Sequence, residues 1–112
     1  MRERILNVAK EKDSLGGVVE VAAVGLPPGI GGVMYDGLES LLAPIFFGIP
    51  AVKGVKFGNE FESSKMKGSE NNDAFEIKDG KVVTKTNNAG GILGGITTGM
   101  PILLKIAFKP TG

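Results

Sequence analysis

The chain contains no cysteine and no histidine. The first absence excludes a disulfide framework and thiolate metal sites, and leans the compartment towards the cytosol. The second removes the commonest general acid or base at neutral pH, every histidine-based triad and most zinc sites. If this sequence takes part in catalysis, it does so with help. Charge of one sign is lacking too: thirteen basic against twelve acidic side chains leave a formal net charge of +1, too small to attract nucleic acid or an anionic membrane surface. No apolar run approaches the roughly twenty residues of a membrane span. The N-terminal MRERILNVAKEKDS spreads its charges evenly and does not read as a secretory signal. Neither a nucleic-acid nor a membrane partner is indicated.

What remains reads as a single α+β domain or subdomain over residues 1–112. Ile5, Leu6, Val8 and Ala9 among charged neighbours predict a helix over 2–12, ended by Asp13, Ser14 and the Gly16-Gly17 pair. LGGVVEVAAVG predicts a strand with Glu20 as its only charge. In LPPGIGG two prolines set φ, and Gly29, Gly31 and Gly32 are expected at positive φ. Leu38, Leu41, Leu42, Ile45 and Phe46 predict a helix from about Asp36 to Phe47, shortened or kinked by Pro44.

AVKGVKFG suits a strand that turns Lys53 and Lys56 outward and either Gly54 or Val55 inward. Residues 58–74 are polar and read as a long loop. Asp79-Gly80 lies between two alternating runs, a hairpin signal, and PILLKIAFK predicts a last strand. The expected fold is a mainly antiparallel sheet packed on the helix carrying Leu38, Leu41, Leu42 and Ile45.

The most unusual stretch is TNNAGGILGGITTGMP, residues 86–101, with Gly90, Gly91, Gly94, Gly95 and Gly99. Glycine loses more conformational entropy on folding than any other residue, so such a cluster implies special backbone geometry or close approach. A membrane GxxxG motif fails because the apolar segment is too short. Two readings stay open. In one, the loop packs so tightly on another element that Cβ atoms would clash. In the other, backbone N–H groups cradle an anion such as phosphate, with Asn87 and Asn88 beside a planar heterocycle. KPTG at 109–112 supports the second, since Lys109 is a point charge suited to phosphate, Thr111 a hydroxyl donor and Pro110 a fixed turn; a solvated strand end is its plain alternative. In GSENND the ligand spacing of a calcium loop is missing, and capping of loop backbone is the better account. No metal site is expected.

SLGGVVEVAAVGLPPGIG, IPAVKGVKFGNEF, GSENND, TNNAGGILGGITTGMPI and FKPT stand in an order and at spacings that resemble the central part of the chorismate synthase family. The resemblance covers about Asp13 to Thr111 and corresponds to a middle portion of a longer enzyme, so the chain reads as a fragment. It implies a β-α-β sandwich, a cytoplasmic homotetramer, and a lyase of aromatic amino acid biosynthesis. That enzyme converts 5-enolpyruvylshikimate 3-phosphate to chorismate and phosphate, using reduced FMN without net redox change.

Residue by residue, the resemblance makes Pro50, Ala51, Gly94, Lys109, Pro110 and Thr111 cofactor-binding. It places no catalytic residue here: the family's two histidines, substrate arginines and serine- and arginine-rich flavin segment lie outside the stretch. The chain alone is expected to be inactive. It is also expected to self-associate through surfaces such as Val18 to Val24 or Ile102 to Phe108. The alternative function is a non-catalytic α+β module for anion binding or assembly.

Overall fold

The computed structural model describes residues 1–112. Three antiparallel strands form its centre: β1 (Gly17–Ala23), β2 (Val52–Phe57) and β7 (Ile102–Phe108), in the order β1-β7-β2. Around them lie α1 (Arg2–Lys10), a 3-10 turn at Met34–Asp36, α2 (Leu38–Phe47), the single-turn helices α3 (Glu60–Ser63) and α4 (Gly68–Asn71), and two hairpins, β3 (Phe75–Lys78) with β4 (Lys81–Thr84) and β5 (Ile92–Leu93) with β6 (Ile96–Thr97). The α+β class and the antiparallel pairing are as expected.

Alternation along β7 sets the core. Ile102, Leu104 and Ile106 point to one face and are buried with Val52 and Ile92, while Val21, Ala23, Leu38, Phe46, Val55 and Phe57 pack around them. Lys105 faces the other side, 3.2 Å from Glu20 on the neighbouring strand. A register shift between Val52 and Gly54 settles the ambiguity in AVKGVKFG. The extra residue, Lys53, is exposed, so Val52, Val55 and Phe57 can all face inward, and this local kink is a β-bulge.

Several expectations are corrected. The helix over 2–12 ends at Lys10, with Lys12 rather than a glycine taking the left-handed conformation (φ 57°); Gly17 opens β1 instead. Gly32 is not at positive φ, whereas Gly29 and Gly31 are; a Cβ at Gly32 would lie 2.8 Å from Asp36. Helix α2 runs to Phe47 and is not shortened by Pro44, which has no N–H to donate within it. Its contact with the core is made by Leu38 and Phe46, while Leu41 and Ile45 are exposed. The polar segment 58–74 holds α3 and α4, the latter started by the Glu70 carboxylate accepting from Lys67 N at 2.8 Å.

Little of this chain is buried for its size. Its accessible surface is 8095 Å² for 11.6 kDa, where a compact monomer of that mass exposes about 5,800 Å². The radius of gyration is 17.1 Å against about 13 Å for a compact chain of this length. Helix α1 buries none of its residues, leaving Ile5 and Leu6 half exposed. Strand β1 is an edge strand with Val18 and Val19 exposed. Ile102 to Phe108, expected to lack cover, is instead the central strand with Ile102, Leu104 and Ile106 buried, so only its Leu103, Lys105 and Ala107 face stays open.

Candidate functional site

The singled-out residues fall into two groups at opposite ends of α2. The first forms where β2 begins and β7 ends. Val52 pairs with Phe108, and one residue further Lys109 N donates to Ala51 O at 2.9 Å. Pro50, Ala51, Lys109 and Pro110 are thereby brought together. Ala51 is left-handed (φ 72°), a conformation that costs a non-glycine residue roughly 1–2 kcal/mol. Thr111 is tied in through its carbonyl, which accepts from Ser14 Oγ at 2.6 Å. Gly16 is needed beside it, because a Cβ there would come within 2.4 Å of Phe108 O. Lys109, Pro110 and Thr111 are exposed, and Lys109 Nζ meets only Pro110 O, at 3.3 Å.

The second group is the glycine stretch. Gly94 and Gly95 are the two turn residues of the β5–β6 hairpin, both at positive φ (60° and 84°), as a type I′ turn requires. The pattern Ile-Leu-Gly-Gly-Ile-Thr carries a hairpin signal that the sequence reading passed over. Gly95 O accepts from Leu38 N, the first residue of α2, at 2.8 Å. Ten helical residues span about 15 Å, so Gly94 is not beside Pro50, Ala51 or Lys109.

Within this stretch the glycines divide sharply. A Cβ on Gly90 would lie 2.4 Å from Gly58 N, one on Gly91 2.5 Å from Pro101 O and one on Gly95 2.4 Å from Gly32 O; here close packing is the correct reading. A Cβ on Gly94 would meet nothing within 4 Å. Gly94 is exposed, and the flanking Leu93 and Ile96 line an open groove of about 360 Å³ together with Phe75 and Val82. Of these four glycines, Gly94 alone has open space beside its Cα.

The side-chain amides of Asn87 and Asn88 find their partners within the chain. Asn87 Oδ1 accepts from Gly91 N and its Nδ2 donates to Pro101 O. Asn88 Nδ2 donates to Glu70 O and Asn71 O, and its Oδ1 accepts from Asn59 Nδ2 at 2.6 Å. Their amides are committed to the fold.

The backbone capping expected of GSENND is made by Asp73, though its partners lie in the glycine stretch; Thr97 was not singled out by the sequence. Asp73 Oδ1 accepts from Thr86 Oγ1 (2.7 Å) and Asn88 N (2.8 Å), and Oδ2 from Ala89 N (2.9 Å). Burial alone would raise its pKa; the hydrogen bonds from Ala89 N, Thr86 Oγ1 and Asn88 N outweigh that and lower it overall. Thr97, buried, donates to Pro27 O and accepts from Ile30 N, fixing the Pro27–Ile30 turn on the hairpin. Neither the partners of Asp73 nor the role of Thr97 leaves a local sequence signal, because each bond joins residues far apart in the chain.

No group of three or more carboxylates is placed to hold a metal ion, and no helix is long and apolar enough to cross a membrane.

Comparison with known proteins places this geometry. The chorismate synthase family model matches residues 1–112. The chorismate synthase of Pyrococcus abyssi is 60% identical over 111 residues, and that of Thermococcus kodakarensis 52%. Each match covers 99% of this chain and 31% of the relative, so the chain spans about a third of their length. A crystal structure of chorismate synthase superposes with a TM-score of 0.92 at 37% identity, over 99% of this chain and 34% of its own. The chain belongs to the chorismate synthase family.

Proposed function

We propose that this chain is the central part of a flavin-dependent lyase that converts 5-enolpyruvylshikimate 3-phosphate to chorismate and phosphate, and that it supplies part of the site for reduced FMN. The 60% identity to the Pyrococcus abyssi chorismate synthase carries this reading. The residues fit such a cofactor. Gly94 presents open backbone to a flat ring, while Lys109 and Thr111 offer a cation and a hydroxyl at an exposed strand end suited to a phosphate. Pro50 and Ala51 shape the wall beside Lys109. Because Gly94 and Lys109 lie at opposite ends of α2, the proposal assigns them to two contact regions.

When bound, reduced FMN supplies electron density to the eliminating substrate without net oxidation. This chain's contribution is to bind and orient. It has no histidine, and its arginines, Arg2 and Arg4, sit on α1, none of whose residues is buried. General acid catalysis and substrate clamping therefore belong to the rest of the enzyme.

Self-association goes with this reading. The homotetramer implied by family resemblance would cover β1 and α1, and the excess accessible surface supports it. A cytoplasmic location is proposed on the same resemblance.

Titrating FMN with the chain while following flavin fluorescence tests the function. Weak binding that depends on Gly94 and Lys109 is expected, without chorismate formation when reduced FMN and substrate are added. Flavin fluorescence unmoved by the chain would favour a purely structural module.

A further inference from the structure

Asp73 belongs to neither group, yet it is the carboxylate with the most hydrogen-bond donors converging on it: two backbone amides and one hydroxyl. These donors open the glycine stretch. Holding Asn88 and Ala89 sets Gly90 against Gly58, where Gly90 O accepts from Leu103 N. Asn87 Oδ1 then accepts from Gly91 N, and Gly91 O accepts from Thr98 N at 3.0 Å. That last bond closes the base of the hairpin whose tip is Gly94. A continuous series of contacts thus runs from Asp73 to the turn, while the tip has its own anchor in Gly95 O and Leu38 N. Hairpin direction depends on base and tip together.

We propose that Asp73 is a positioning residue: its carboxylate orients the Gly94 turn by fixing the Asn87–Gly91 segment from which that turn departs. The consequence for cofactor binding rests on the flavin reading above; the orientation of the turn does not. A charged acceptor suits the task, since bonds to a carboxylate are shorter and roughly twice as strong as neutral ones. Asn in its place would present one N–H₂ to another donor.

The test is Asp73→Asn in the 112-residue chain, read by backbone amide NMR and by FMN titration. Shifted resonances and faster exchange are expected not only at Asn88 and Ala89 but also at Gly94 and Gly95. FMN affinity should fall about tenfold, as the turn orientation that binds becomes about tenfold less populated. Changes confined to Asn88 and Ala89, with Gly94, Gly95 and FMN affinity as in the parent chain, would overturn the proposal. If the parent chain binds no FMN, the flavin reading fails by itself and the Gly94 and Gly95 amides decide the positioning claim. Should Asp73→Asn not fold, Thr86→Val removes one of the three donors and is judged by the same amides.

Discussion

The base and the tip of the glycine stretch share a composition and differ in what surrounds them. At the base, Gly90 and Gly91 are buried and have neighbouring backbone within 2.4 to 2.5 Å of any added Cβ. At the tip, Gly94 is exposed and has nothing within 4 Å. Base glycines let two pieces of chain touch; the tip glycine keeps a surface clear. One stretch thus holds a structural requirement and a candidate binding feature a few residues apart.

Substitution should separate the two. Gly91→Ala combines a left-handed φ of 81° with a clash at Pro101 O, and we expect a loss of about 3 kcal/mol or more from strain and overpacking together. Denaturant unfolding would show it, and a midpoint close to that of the parent would mean the Gly91–Pro101 contact is not as tight as described. Gly94→Ala keeps only the φ penalty, so a loss of about 1 kcal/mol is expected. If the two substitutions cost the same, the distinction between base and tip collapses.

Acid should act on the base. The folded-state pKa of Asp73 is lowered from 3.8, so its contribution to stability is fully present above that unfolded value and is lost as pH falls through the folded one. Unfolding followed by circular dichroism should therefore show Asp73→Asn converging with the parent chain at low pH. A gap that stays constant from neutral to strongly acidic pH would show that the carboxylate's charge is not what holds Asn88 and Ala89. Smallest of all is α1, where Leu6→Ser should change stability by less than about 0.5 kcal/mol, because no residue of that helix is buried. A larger loss would reveal packing that the structure does not show.

The fold was legible in the sequence where periodicity and turn chemistry are local. Asp79-Gly80 is a two-residue hairpin turn with both residues at positive φ (52° and 75°), and β1, β2 and β7 lie where alternating or apolar runs place them. Single-turn helices α3 and α4 escaped because four residues carry no period. The outward turn of Leu41 and Ile45 escaped because helical spacing says which residues share a face, not how much partner that face finds.

At the candidate site, six positions were named by resemblance, and their grouping was beyond it. Only the three-dimensional path of α2 separates Gly94 from Lys109. The asparagines misled for a related reason: an amide free to bind a ligand and one committed to Pro101 O or Glu70 O look alike in sequence.

The account turns on Gly94 being kept clear for a ligand rather than for folding. Gly94→Asn tests this most directly, since asparagine tolerates the left-handed conformation and adds a side chain at the tip. FMN titration and thermal unfolding would be measured on the same sample. The account predicts a melting temperature within about 2–3 °C of the parent, for a cost under about 0.5 kcal/mol, and FMN affinity reduced about tenfold or more. Unchanged FMN affinity in a folded Gly94→Asn chain would contradict it.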